Sequence, residues 1–431
     1  LNKKYKDHRR YLIYSILLDF LTSKKQLKSI INKYIKNLPD RDKNYIFEIT
    51  NGSIQNFLFI NKIITANSTL KNSNQTKSVL IFSIYNLLFS KNIPDYAIID
   101  NAVNLAKELK LKNFNFINAL LRKVSRNKKI NFNENYINYS YPKWLYDKLL
   151  RQIGKKNLTK LIDWNITNRD IYIRAISKES MNEIQDYFNK LNINHKVFND
   201  YKKYLKINKI NNTIANYLSI NKLGYVQSPS SGFVVKLLNP KSNEKIIDAC
   251  SSPGGKLIYI SNILKNTNKL YAYEIDKKRY YQLKENIKNY QCNNIYTFNE
   301  DFRKCKLKNI DKILIDVPCT GTGIIHRKPD IKIRRKHTDI IKFTELQYSL
   351  LNYASRIINN NGIIVYSTCS IIEDENWMVV NKFLSNNKNF KLINSSKYID
   401  QKYIDSRGAL NIKPYLHSLD GMFAVRLKKI S

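Results

Sequence analysis

Cysteine is scarce in this sequence, and the spacing of the few cysteines argues against two classes of protein. The 431 residues contain five cysteines, all in the second half of the chain, and none forms a C-x-x-C pair. Disulfide-stabilised secreted domains are much richer in cysteine, and structural zinc sites usually contain such pairs. We therefore expect neither a disulfide framework nor a metal site, and a cytoplasmic location whose reducing environment keeps thiols available as nucleophiles.

The sequence also contains few acidic residues and few long apolar runs. Only 34 Asp and Glu stand against 74 Lys and Arg, which gives a formal charge of +40. No stretch has the length and apolarity of a membrane-spanning helix, and the basic start lacks a signal-peptide core, so we expect no membrane partner. An excess of positive charge attracts polyanions such as nucleic acids. The abundance of Lys, Asn, Ile and Tyr would also follow from an AT-rich genome, so the charge alone does not decide the partner.

The pattern of apolar residues predicts three domains. Residues 1–130 carry the wide apolar stripes of an all-helical bundle. Residues 131–225 mix helical and alternating patterns, typical of a small α+β module. Residues 226–431 alternate strands with helices, which predicts a doubly wound, Rossmann-like α/β domain. The helical domain ends in a basic cluster of Arg122, Lys123 and Arg126. This helix end is a candidate RNA contact, with a solvated charged face as the alternative.

A glycine-rich turn follows the first predicted strand of the third domain, and acids follow the next two strands. Glycine in such a turn lets backbone N–H groups approach a ligand closely. Glu274 ends the second strand 20 residues after Gly254 (274 − 254), the separation at which Rossmann-type acids bind ribose hydroxyls. Asp301 follows the third strand, where it could meet an adenine amino group. The alternatives are a helix-capping turn and a surface acid.

These features together predict a site for an adenosine-bearing cofactor. The turn matches neither the dinucleotide fingerprint nor the P-loop spacing, so S-adenosylmethionine fits better than a dinucleotide. The candidate cofactor-binding residues are Cys250, Ser251, Ser252, Pro253, Gly254, Gly255, Lys256, Glu274, Asp301 and Asp316.

Two of the cysteines follow predicted buried strands. Cys319 and Cys369 each come after an apolar, β-branched run, and they are 50 residues apart (369 − 319) with a helical pattern between them. This is the arrangement of one β–α–β crossover, so both thiols should lie at the carboxyl ends of neighbouring parallel strands, where open α/β sheets bind ligands. Asp316 belongs to the same turn as Cys319, and a nearby Lys256 would favour a thiolate. A lone cysteine is usually a small core residue, but two at adjacent strand ends favour covalent chemistry.

The ordered motifs resemble those of the RNA cytosine-5 methyltransferases with two catalytic cysteines. They are Ser-Pro-Gly-Gly-Lys at 252–256, Asp-Val-Pro-Cys at 316–319 and Ser-Thr-Cys-Ser at 367–370. The first third of the chain is similar to the NusB-type helical domain of the bacterial 16S rRNA methyltransferase B branch. The resemblance implies a class I S-adenosylmethionine-dependent methyltransferase domain behind a NusB-like domain.

The resemblance also implies roles for individual residues. Cys369 would attack C6 of the target cytosine, and Asp316, helped by Lys256, would hold the ring edge and promote protonation at N3. Cys319 would assist loss of the C5 proton and release of the adduct. The implied substrate is 16S ribosomal RNA, as naked RNA or as a small-subunit assembly intermediate, with cytosine 967 (in that RNA's customary numbering) as the target.

Other interpretations stay open at this stage. A tRNA cytosine-5 methyltransferase would share every catalytic residue, and a non-catalytic RNA-binding assembly factor would need neither thiol. A DNA cytosine methyltransferase would leave Cys369 unexplained. One position departs from the family, because Ser228 follows Gln227 where the family often has an aspartate.

Overall fold

The structure is a computed structural model that describes residues 8–68, 72–90, 93–167 and 170–430. The described residues form two compact units. The first contains the chain up to Leu158 together with Ile325–Lys336, and the second contains the remainder from Thr159 onward. The domain boundaries at 130 and 225 stay predictions from the sequence.

The first unit is a bundle of helices around an aliphatic core. Apolar side chains recur every three or four residues in most of these helices, so those helices bury one face, whereas the fifth helix is buried on nearly all sides. Ile13 and Leu17 of the first helix and Ile81 and Ile84 of the fifth are fully buried. The helices are α1 (His8–Thr22), α2 (Leu27–Ile35), α3 (Asp40–Gln55), α4 (Phe57–Ala66), α5 (Asn74–Phe89), α6 (Asp95–Glu108), α7 (Phe114–Arg126), α8 (Asn135–Asn138), α9 (Lys143–Thr167), of which the part up to Leu158 belongs to this unit, and α15 (Ile331–Arg334).

The segment Ile325–Lys336 belongs to this helical unit although it lies between two elements of the other unit in sequence. The Lys332 ammonium donates to the carbonyl oxygen of Gln55 at 2.6 Å and lies 4.8 Å from the ring centroid of Tyr141. Burial lowers the pKa of Lys332 to about 7. Arg334 donates to the carbonyl oxygen of Phe20 at 2.7 Å. These bonds fix the segment against α1, α3 and the loop before α9.

The second unit begins with a small antiparallel sheet. Its strand order is β2-β3-β1-β4, and helices pack against one face through apolar side chains that include Ile184 and Phe188. The elements are β1 (Ile171–Ala175), α10 (Lys178–Lys190), β2 (His195–Val197), β3 (Tyr204–Ile207), α11 (Asn212–Ile220) and β4 (Gly224–Val226). The sequence predicted an α+β module at 131–225, of which residues 131–158 lie in the helical unit, and its bounds stay a prediction.

The larger sheet of this unit has the order β10-β12-β9-β8-β5-β6-β7, with β11 paired to β12. Five strands are parallel, and β12 runs antiparallel to both of its neighbours, β9 and β10. The strands are β5 (Ile246–Asp248), β6 (Leu270–Tyr273), β7 (Ile295–Phe298), β8 (Ile310–Asp316), β9 (Ile358–Thr368), β10 (Phe390–Ile393), β11 (Leu410–Ile412) and β12 (Met422–Lys429). The helices are α12 (Pro229–Leu238), α13 (Gly255–Ile263), α14 (Lys277–Asn289), α16 (His337–Ile357), α17 (Trp377–Asn386) and α18 (Pro414–His417).

This architecture confirms the predicted Rossmann-like α/β domain and the all-helical start. Strands β8 and β9 are parallel neighbours, with Asp316 opposite Ser367, as the crossover argument requires. Apolar side chains cover both faces of the sheet, which explains the continuous β-branched runs in its strands. No helix in the described part of the chain has the length and apolarity needed to cross a membrane.

Candidate active site

The two predicted catalytic thiols lie side by side. The Sγ atoms of Cys319 and Cys369 are 3.3 Å apart, and neither sulfur is in a disulfide. Cys319 is buried in the turn after β8, whereas Cys369 is half-buried and directly follows β9. The hydrogen bond with Cys369, together with burial, raises the pKa of Cys319 well above its ordinary value. Either sulfur can be the donor of this hydrogen bond.

The Asp316 carboxylate is held from two sides beside the thiols. Lys256, in the first turn of α13, donates to Oδ2 at 2.6 Å, and the Ser367 hydroxyl donates to Oδ1 at 2.8 Å. Ser367 lies on β9 and Lys256 follows the glycine-rich turn, so three different strand ends converge on this carboxylate. Charge-assisted bonds of this kind fix the plane of the group.

Asp248 is an acid that the sequence argument did not single out. It ends β5 and is buried, and one of its oxygens, Oδ1, has no hydrogen-bond partner among the described residues. Burial, followed by the nearby Asp316 charge, raises the pKa of Asp248 to about 7. Its position one residue before Ala249 and the Cys250 turn was visible in the sequence, but its burial was not. This acid is a further polar group that faces the candidate cofactor region.

Glu274 has an acceptor that could take a ribose hydroxyl. The side chain is 3% exposed; Oε1 accepts the backbone N–H of Asp276 at 3.0 Å. The other oxygen, Oε2, has no hydrogen-bond partner among the described residues, and Arg279 lies 3.5 Å from it. A buried carboxylate oxygen without a donor is costly, so a ligand hydroxyl at this point would be favourable.

The turn before α13 has the backbone geometry of a ligand-binding loop. Gly254 has φ +104°, a conformation that favours glycine, and a Cβ there would come within 2.9 Å of the Leu283 side chain. Cys250, at the start of this turn, is an inert thiol, since burial raises its pKa. Together with the orphaned oxygen of Glu274, this turn fits an adenosine-bearing group. The candidate residues Ser251, Ser252, Pro253 and Gly255 complete the turn.

Asp301 is engaged by a neighbour that the sequence argument did not consider. Its carboxylate accepts the backbone N–H of Arg303 at 2.9 Å and a guanidinium N–H of the same residue at 2.5 Å. These bonds to Arg303 hold the pKa of Asp301 below its usual range. An adenine amino group would have to share the carboxylate with Arg303, so the role of Asp301 stays a prediction.

A buried polar cluster behind the two thiols was not predicted. Glu375 is fully buried and accepts hydrogen bonds from the backbone N–H of Thr320, at 2.8 Å, and from Gln347, at 3.1 Å. Gln347 also donates to the carbonyl oxygen of Pro318 at 3.0 Å. In the sequence, an acid six residues after Cys369 is typical of the start of a helix, so its role as a buried hydrogen-bond acceptor was not predicted. Its immediate neighbours, Asp374 and Asn376, are polar, so the sequence carried no signal of its burial.

Two glycines bring distant backbone segments together at the thiols. The Gly323 N–H donates to the carbonyl oxygen of Cys369 at 3.0 Å, and the Gly421 N–H donates to the carbonyl oxygen of Gly323 at 2.9 Å. A Cβ on Gly323 would lie 2.8 Å from both the Cys369 oxygen and the Gly421 Cα. The close approach therefore requires glycine at 323 and 421.

Among the described residues, no cluster of three potential metal ligands occurs.

The fold and this site together define a methyltransferase of the Rossmann-like class. Residues 235–428 match the family model described as 16S rRNA methyltransferase RsmB/F, and residues 7–126 match the NusB family. Residues 235–428 thus match the RsmB/F methyltransferase family, and a match to the NusB family precedes them in the chain. This confirms the family resemblance seen in the motifs.

Individual relatives agree with this assignment along nearly the whole chain. The probable ribosomal RNA small subunit methyltransferase B of Bacillus subtilis is 28% identical over 422 residues, covering 94% of each chain. The crystal structure of PH0851 superposes with a TM-score of 0.84 at 22% identity, covering 99% of this chain and 100% of that one. NSun6 from Pyrococcus horikoshii with SFG has a TM-score of 0.61 at 19% identity, covering 68% of this chain and 99% of that one. The two structural likenesses show the shared fold.

Proposed function

We propose that this protein transfers a methyl group from S-adenosylmethionine to C5 of a cytosine in small-subunit ribosomal RNA, through a covalent bond between Cys369 and the base. The observation that carries the proposal is the pair of thiols 3.3 Å apart at neighbouring strand ends, beside a carboxylate that an ammonium group orients. A core role for the cysteines would not need this arrangement of charged groups.

Cys369 is the nucleophile in this proposal. Its thiolate forms a bond to C6, and the electron pair of the C5–C6 double bond moves into the ring toward N3. Asp316, fixed by Lys256 and Ser367, holds the N3 edge and promotes its protonation, so C5 becomes nucleophilic. The Gly254 turn and Glu274 would hold S-adenosylmethionine, which would supply the electrophilic methyl group; the S–CH3 bond would break and leave S-adenosylhomocysteine as the new bond to C5 forms.

Cys319 serves the release step. Removal of the C5 proton re-forms the C5–C6 double bond and breaks the bond between C6 and the Cys369 sulfur. The raised pKa of Cys319 supports this division of roles, because a protonated Cys319 can stabilise a Cys369 thiolate before attack. Once Cys369 is bonded to carbon, that negative charge is gone and Cys319 can ionise to act as the base.

Ribosomal RNA is favoured as substrate over tRNA by the NusB domain and by the relatives named as ribosomal RNA small subunit methyltransferases. We further propose cytosine 967 of 16S rRNA as the target, on the family resemblance. The formal charge of +40 is suited to a polyanionic partner in the cytoplasm, either naked RNA or an assembly intermediate.

The end of α7 offers one concrete surface for RNA. Arg122, Lys123 and Arg126 are exposed there, and Arg122 and Arg126 line a cavity of about 290 Å³ with Tyr96, whose side chain is 72% exposed. Guanidinium groups bind phosphate, and an exposed aromatic ring can stack on a base. Asp95 and Asp100 also line the cavity, so phosphate contacts should fall on its basic side.

A methyl-transfer assay tests the proposal. The full chain is incubated with methyl-labelled S-adenosylmethionine and unmodified 16S rRNA, either naked or in small-subunit particles, with unmodified tRNA as the competing substrate. We expect label in 5-methylcytosine of the ribosomal RNA, mapped by bisulfite sequencing. Label in tRNA alone would favour the tRNA enzyme. No label in any RNA would favour a non-catalytic assembly factor.

A further inference from the structure

The carboxylate of Glu375 belongs to a buried hydrogen-bond network that joins the two loops carrying the thiols. Besides the backbone N–H of Thr320, it accepts the hydroxyl of Thr320 at 2.5 Å, so one carboxylate receives both donors of the residue that follows Cys319. Gln347 adds a third donor at 3.1 Å. Neither Thr320 nor Glu375 is exposed, so water does not compete for these bonds.

The second loop is joined to the same cluster through hydroxyl groups. The Oγ of Ser370, which follows Cys369, lies 3.2 Å from Thr320 Oγ1 and 3.1 Å from Thr322 Oγ1. Thr322 Oγ1 also accepts the backbone N–H of Ile371 at 3.1 Å. Thr320 and Ser370, the residues that follow the two cysteines, are therefore in direct hydroxyl contact, and the buried acid holds Thr320 on one side of this contact.

We propose that Glu375 is a positioning residue that sets the separation of the Cys319 and Cys369 sulfur atoms. The inference rests on the proposed two-thiol chemistry and extends it, since Glu375 itself touches no reacting atom. A buried polar network in which every group is hydrogen-bonded specifies one local geometry. A buried acid is costly unless its oxygens accept hydrogen bonds. Removing the acceptor should let the turn after β8 move relative to the end of β9.

The expected effect is on turnover rather than on RNA binding. A displacement of about 1 Å at reacting groups can cost about 100-fold in rate, so Glu375→Leu should lower kcat by about that factor with KM for RNA little changed. Glu375→Gln should restore much of the rate, because its carbonyl oxygen can accept from Thr320 and Gln347 while its amide donates to Thr320 Oγ1. Thr320→Val, which removes only the bridging hydroxyl, should show an intermediate loss.

Disulfide closure between the two thiols measures their separation without RNA or cofactor. In the full chain, diamide takes two electrons and two protons from Cys319 and Cys369 and is reduced to the hydrazine as the S–S bond forms. Closure, followed by mass spectrometry, should be at least about tenfold slower in Glu375→Leu, since disulfide formation requires a narrow range of Cβ separations. The charge of Glu375 also contributes to the raised pKa of Cys319, so closure in Glu375→Gln should shift to lower pH.

Phe383→Leu is the matched control for lost stability. Phe383 is buried in α17 against Phe390, and the substitution should lower the melting temperature without slowing closure. Parental closure rates in both Glu375→Leu and Thr320→Val would overturn the positioning role. If disulfide closure is also slow in Phe383→Leu, the effect of the Glu375 substitution is a general loss of stability and not a loss of positioning. Failure of the parent to methylate RNA would instead reject the proposed function. The two hypotheses are tested separately, because disulfide closure does not require RNA methylation.

Discussion

The sulfur atoms of Cys319 and Cys369 lie 3.3 Å apart, and Cys319 is buried whereas Cys369 is half-buried. The two cysteines should therefore differ in their effects when each is removed. In the proposed mechanism, attack precedes methyl transfer and elimination comes last, so loss of the nucleophile would prevent every later step, whereas loss of the release group would leave the covalent adduct intact.

Cys369→Ala should neither methylate RNA nor form an adduct. Cys319→Ala should attack and methylate once, then accumulate a protein–RNA complex that survives denaturing gel electrophoresis and requires S-adenosylmethionine. Cys292→Ala, a buried cysteine elsewhere in the same unit, should behave as the parent. An adduct with Cys369→Ala would reverse the roles. Full activity in both variants would make the thiols core residues.

Glu274→Ala should weaken S-adenosylmethionine binding. Loss of a hydrogen bond from ribose to a buried carboxylate costs about 1–3 kcal/mol, or about 5- to 150-fold in Kd. Isothermal titration calorimetry measures this directly, and RNA affinity should stay the same. Glu285→Ala, an exposed acid on α14, is the control. Equal cofactor affinity in the Glu274 variant and the parent would remove Glu274 from the site.

RNA affinity should fall steeply with salt, and the end of α7 should account for part of the slope. Each phosphate contact releases counterions, so Arg122→Gln together with Arg126→Gln should reduce the slope of log K against log salt by about 2. Binding of 16S rRNA fragments at several salt concentrations gives this slope. Lys391→Gln, which changes an exposed residue on strand β10 of the other unit, serves as the control. A flat salt dependence in the parent would mean that the charge of the chain reflects codon bias.

Lys332 should make the stability of the helical unit depend on pH. Its pKa of about 7 in the folded chain lies below the ordinary 10.5, so between these values the unfolded chain binds more protons than the folded chain. Stability therefore rises with pH across that window, by at most about 1.4 kcal/mol per pH unit. Denaturant unfolding at pH 7 and pH 9 should show the parent gaining stability relative to Lys332→Met. The exposed Lys24→Met variant should track the parent, and an equal pH response in Lys332→Met would contradict the assignment.

Local sequence was sufficient for the strands that position the thiols. The apolar, β-branched runs before Cys319 and Cys369 predicted neighbouring parallel strands, and β8 and β9 pair in parallel. The apolar run did not indicate the full length of β9, which begins at Ile358 and passes through three asparagines at 359–361. Pairing with β8, including Ile310 opposite Ile358, keeps this polar stretch in a strand. Such a tertiary effect cannot be predicted from the local sequence pattern.

The same limit explains what was missed around the site. The crossover argument could bring Cys319 and Cys369 together because topology alone fixes strand ends. It could not show that Arg303 engages Asp301 or that Glu375 reaches Thr320, which lies 55 residues earlier. Such contacts depend on side-chain reach between segments, and neither residue carries a distinctive motif.

The contact between Gly323 and Gly421 has a consequence for when this protein becomes active during its synthesis. The backbone of Gly421 supports Gly323, which in turn holds the carbonyl group of Cys369, and β12 pairs along the strand that ends beside that thiol. Cys319 and Cys369 leave the ribosome well before residues 421–429. A nascent chain can therefore contain both thiols, the Gly254 turn and the whole NusB domain, yet it acquires the active arrangement only when its last sheet strand emerges.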